Sequence, residues 1–86
     1  MKQLRVVPCD MPMSLVECPA GLFLFGFQST EQWPSVGFKT EYGTHSAFDM
    51  DVYCVESGEV FWGGTKTPLA RGELQVMPAK LEWVEV

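Results

Sequence analysis

Basic residues are scarce in this chain: six lysines and arginines stand against eleven aspartates and glutamates, a net charge of −5. A phosphate backbone is held by surplus cations, so this balance argues against direct nucleic-acid binding. Histidine is scarcer still, with His45 alone, and the three cysteines (Cys9, Cys18, Cys54) form no Cys-x-x-Cys pair. One imidazole and three widely spaced thiols match no compact zinc site, and no metal or cofactor is expected. An odd number of cysteines without a dense framework predicts reduced thiols. No apolar run approaches the roughly 18 residues of a membrane-spanning helix. Met1-Lys2-Gln3-Leu4-Arg5 is not followed by the apolar stretch and cleavage site of an export signal. The expectation is a cytoplasmic protein with no membrane partner. Repeats, linkers and low-complexity segments are also missing. Gly63-Gly64-Thr65-Lys66 follows a strand-like run but lacks the spacing and helix start of a phosphate-binding loop.

What is present is apolar and β-rich. The chain has 86 residues, 47% of them hydrophobic, which predicts one globular domain with a thin core over residues 1–86. Leu4-Arg5-Val6-Val7 reads as an opening strand stopped by Pro8. Gly21-Leu22-Phe23-Leu24-Phe25-Gly26 is apolar throughout, as in a strand covered on both faces, and too short for a stable helix. Gly37-Phe38-Lys39-Thr40-Glu41-Tyr42-Gly43 alternates, predicting Phe38, Thr40 and Tyr42 inside with Lys39 and Glu41 in water. Asp51 to Glu56 and Glu59 to Gly64, joined by Ser57-Gly58, read as a tight hairpin. Its register would set Val55 against Val60, Tyr53 against Trp62 and Glu56 against Glu59. Glu73 to Met77 and Lys80 to Val86 complete the set, with Pro78 marking an edge, a bend or a break between them. One helical turn is predicted at each of two places, Ser29 to Trp33 and Pro68 to Arg71. The fold class is therefore all-β: a small barrel or two-layer sandwich of about five to seven mostly antiparallel strands.

Little in the chain points to catalysis. A Cys54–His45 pair is conceivable, yet Cys54 falls mid-strand with no glycine context for an oxyanion site. The chain is read as non-enzymatic, with His45 a polar loop residue and Cys54 core. Opposed like charges repel, so Glu56 and Glu59 would be relieved either by a cation or polar ligand edge or simply by water. The aromatics carry the stronger signal. Three tryptophans, two tyrosines and six phenylalanines exceed what so thin a body can hide. Trp33, Phe38, Tyr42, Tyr53 and Trp62 would line an oligomer interface, a stacking pocket for a flat ligand, or both. In the pocket reading Tyr53 and Trp62 stack on a base and Tyr42 lies beside them. Lys39, Lys66 and Arg71 meet phosphate, and Glu41 or Glu59 accepts polar hydrogens.

Gly21 to Phe25, Gly37 to Gly43 and Tyr53 to Gly64, within a span from about Cys18 to Pro78, resemble small accessory proteins of tailed phages and prophages. No activity or catalytic residue comes with the resemblance. It implies a setting in the host cytoplasm, where such proteins commonly inhibit host machinery or defence. The expectation drawn from it is a homo-oligomeric binding protein that sequesters a small nucleotide-like signal at a subunit seam. A second expectation is an acidic protein–protein inhibitor of a host defence or nucleic-acid enzyme. A third is a virion or assembly component.

Overall fold

The computed structural model describes residues 1–26, 35–42 and 46–86. The predicted turn at 29–33, Trp33 and His45 lie outside them. The described residues form β1 (Lys2–Pro8), β2 (Met13–Ser14), β3 (Gly21–Phe25), β4 (Ser35–Lys39), β5 (Val52–Cys54), α1 (Pro68–Gly72) and β6 (Gln75–Glu85). All strand pairs are antiparallel, in the order β1-β6-β3-β4-β5, with β2 beside β6. The all-β class is as the periodicity predicts, and the architecture is one open sheet, with β1 and β5 at opposite edges instead of meeting in a barrel. The predicted turn at Pro68 forms as α1, with Thr67 Oγ1 accepting from Ala70 N at 3.2 Å and Pro68 where a missing N–H costs nothing.

Pro78 neither ends a strand nor sits at an edge: β6 runs through it as one strand of eleven residues. The cost falls where pairing already changes. Cys9 N donates to Pro78 O at 2.9 Å, so the absent Pro78 N–H faces the same side. There β1 stops, and β2 resumes two residues out of register: Pro8 pairs with Ala79, but Met13 pairs with Val76. The proline sits opposite an existing gap in the ladder.

Partners across an antiparallel pair share a face, which sorts the sheet into two sides. Phe23, Gly37 and Cys54 stand in one row on the inner side, with Val52 and Val76. That side carries the core of Leu15, Cys18, Phe23, Met50, Val52, Phe61 and Val76. The outer row is Leu22, Phe38, Tyr53 and Val60. The predicted faces of β4 are thus reversed: Lys39 is fully buried, while Phe38 and Tyr42 are exposed. The cause is Phe23, whose ring lies over Gly37, the one side chain on β4 with no bulk to oppose it. With Gly37 facing in, the pleat of period two turns Lys39 in as well.

The hairpin register also differs. Tyr53 pairs with Val60 rather than Trp62, and Cys54 N donates to Glu59 O at 2.8 Å. Gly58, at φ 73°, closes the wider loop by donating to Cys54 O at 2.8 Å. Glu56 leaves the loop and accepts from Val36 N at 3.3 Å, so it does not face Glu59. The like-charge pair that motivated a cation there does not form.

Candidate functional site

Lys39 and Arg71, two of the cations assigned to phosphate, are occupied in the interior. Chain reversal over Ser14 to Cys18 makes a helical turn, with Glu17 N and Cys18 N both donating to Ser14 O. Lys39 Nζ meets the carbonyl end of that turn, donating to Leu15 O at 2.7 Å, Val16 O at 3.1 Å and Cys18 O at 2.6 Å. A buried ammonium needs such partners, because an unpaired one is far too costly to dehydrate. Burial still pulls its pKa below the ordinary 10.5, offset in part by the Cys18 thiol. Arg71 projects from α1 into the body, giving one hydrogen bond to Phe61 O at 3.1 Å and another to Met50 O at 3.0 Å. Its guanidinium lies 4.5 Å from the Trp62 ring centroid, so Trp62 covers a structural cation. Burial lowers the Arg71 pKa, and Asp51 opposes that shift.

The other candidates are dispersed. Tyr53 stands on the outer face, bonded to Asp51, and this bond is the chief cause of its raised pKa. Thr40 Oγ1 donates to the same carboxylate at 3.2 Å. Glu41 borders a depression of about 390 Å³ formed with Ala20, Gly21, Phe38, Lys39 and Thr40. Tyr42, Glu59 and Lys66 are exposed. Tyr53 and Trp62 do not form the predicted stacking pair, because the register places Val60 across from Tyr53.

A groove opens instead where the core reaches the surface. Its volume is about 510 Å³, and Phe25, Phe61, Leu74 and Val76 make its floor. Phe25 and Phe61 pack at 4.7 Å between centroids, and Phe61 meets Phe23 edge-on at 5.4 Å. Gly63, at φ 61°, lets the backbone close one wall: a Cβ there would lie 2.5 Å from Leu74 and 2.8 Å from Phe61. Glu73 and Gln75 form the polar rim, and Glu73 is the charged residue among the described residues of the lining. An apolar floor with a few polar rim groups in this size range suits a small ligand. The groove residues fall in runs read from sequence as strand and core, so only the adjacency of Phe23-x-Phe25 and Leu74-x-Val76 hinted at them. Among the described residues, no group of three or more His, Cys, Asp or Glu side chains is placed to hold a metal ion. Among the same residues, no helix is long and apolar enough to cross a membrane.

The thiols differ in the same way as the cations. Cys18 is buried, which raises its pKa, while Cys9 is exposed. A disulfide reagent that reads thiolate should modify Cys9 within the mixing phase and Cys18 only at the rate of global unfolding. Rapid labelling of Cys18 in the native protein would contradict the packing around Lys39.

Compared with protein families, curated proteins and solved structures, the chain has no match.

Proposed function

We propose that this chain is a non-enzymatic binding protein that holds a small, flat, apolar ligand against Phe25 and Phe61 and acts by sequestering it. The observation that carries this reading is the open groove with its paired aromatic floor and, among the described residues, the Glu73 carboxylate in its lining. The ligand is uncharged or weakly basic. With Lys39 and Arg71 committed to backbone carbonyls, the phosphate contacts of a nucleotide lose two of their three intended cations. A base-like ring is retained, and a phosphate adds nothing. The setting follows from the resemblance to phage and prophage accessory proteins: action in the host cytoplasm against a defence component, with the protein as a sink for a signal.

Native mass spectrometry of the protein purified from bacteria tests the groove. The wild type should carry a small-molecule adduct that Leu74→Trp, which fills the groove, has lost. In titrations, adenosine as a probe should bind at least as well as adenosine monophosphate. A wild type without adduct or adenosine binding would overturn the reading, as would an adduct undisturbed in Leu74→Trp.

A further inference from the structure

Among the described residues the core cluster lies on one side of the sheet, and the other side, where Leu24 alone is buried, is apolar from edge to edge. On the β1–β6 ribbon, Leu4 faces Trp83 and Val6 faces Leu81. The opposite face of the same ribbon pairs Arg5 with Glu82 and Val7 with Lys80, so the ribbon is amphipathic. Through Met77, which pairs with Leu24, the apolar side continues onto β3, and then along the row of Leu22, Phe38, Tyr53 and Val60. Exposure is high where a core side would be dry: Trp83 65%, Leu81 55%, Val60 53%, Leu4 46% and Phe38 42%. Scattered apolar residues on a surface need no explanation, but a face continuous across five strands does.

We infer that this outer face is the interface of a homodimer, a second copy packing sheet against sheet about a two-fold axis. Three observations favour a second copy over another partner. First, the face supplies the area. Five strands of three to eleven residues, at about 3.3 Å per residue and about 4.8 Å apart, cover on the order of 500 Å² per partner, about 1,000 Å² over both and enough for a specific interface. Second, the charge pattern fits. A chain at −5 repels its own copies over most of its surface. This face carries its charges at the margins, with Lys2 opposite Glu85 at one end and Asp51, bonded by Thr40, at the other. An uncharged centre selects an equally uncharged surface, and the same chain provides one of matching size and twist. Third, the end of the ribbon around Leu4 and Trp83 is two strands wide, and isolated two-stranded ribbons are marginal in water. A second layer, strands aligned within about 30° and sheets about 10 Å apart, would cover it and complete a sandwich.

Sedimentation equilibrium over a dilution series from micromolar concentrations tests the dimer. The wild type should show twice the chain mass of 9.7 kDa. Trp83→Lys and Leu81→Lys should each be monomeric, with association weakened at least a hundredfold and an unchanged far-ultraviolet spectrum. Arg5→Asp, on the other face of the same ribbon, should remain dimeric. A wild type at 9.7 kDa across the whole series would overturn the inference without recourse to any variant, and would leave the face for a different protein. A dimer that survives both lysine substitutions, or is lost equally in Arg5→Asp, would also overturn it. The groove is lined by other residues, so this outcome and that of the ligand test are separate.

Discussion

Replacing Lys39 with methionine is expected to lower the stability of the fold by about 3 kcal/mol. Methionine fits the volume but donates nothing, so the carbonyls of Leu15, Val16 and Cys18 lose the ammonium between them. Leaving a buried acceptor without its donor costs about 1–3 kcal/mol each. Leu15 O keeps one bond, from Cys18 N at 3.2 Å, which holds the sum toward the lower end. Removing the charge also recovers its desolvation cost, but the apolar replacement leaves the polar partners behind, which is the unfavourable case. Against a total of about 4–13 kcal/mol for a chain of this length, the loss is large. A shift of the urea midpoint at constant slope measures it, and an unmoved midpoint would mean that the ammonium is not a structural tie.

The same substitution has a pH signature. Burial places the native Lys39 pKa below 10.5, its ordinary value and that of the unfolded chain. In the window between the two values the unfolded state binds more protons, so wild-type stability rises with pH there. Cys18, whose native pKa lies above its ordinary 9.0, acts in the opposite direction and is present in both proteins. The difference between wild type and Lys39→Met should therefore widen in favour of wild type as pH climbs through that alkaline window. A constant difference would remove the lysine from the linkage.

Gly37→Ala should be comparably damaging for a steric reason. The added methyl would lie 2.2 Å from Phe23 Cζ and within 2.8 Å of two further ring atoms. Phe23 is fully buried and packed on Phe25 and Phe61, so its ring has nowhere to retreat. Overpacking of this kind costs about 1–3 kcal/mol, and more where backbone must move. The second variant makes the cause visible. In Phe23→Leu the ring is absent, and adding Gly37→Ala to that background should cost much less than in wild type. Additive losses in this double-mutant cycle would refute the contact as the source.

The positions of β1, β3 and α1 were legible in the sequence because they depend on local pattern, with glycines bracketing β3 and Thr67-Pro68 opening α1, whereas Glu59 to Gly64 forms only a bridge at Val60 and β2 was not foreseen. The aromatic surplus was legible too, and so was its consequence that some large side chains remain exposed. The groove was not, since Phe25, Phe61, Leu74 and Val76 come from three separated stretches and look individually like core. Nor was the role of the cations. A lysine between Phe38 and Thr40 reads as wet in any alternating pattern, and nothing local reveals the carbonyls waiting some twenty residues away.

Sequence by itself determined the all-β class, the places of β1 and β3 and the turn at α1, since period, turn chemistry and capping act within a few residues. Tertiary structure decided which face of each strand is inside, because one ring against one glycine sets the pleat of β4 and carries Lys39 inward with it. It also left much of the opposite side of the sheet apolar and exposed among the described residues, since a side chain's burial depends on what the rest of the chain brings over it and not on its own neighbours in sequence.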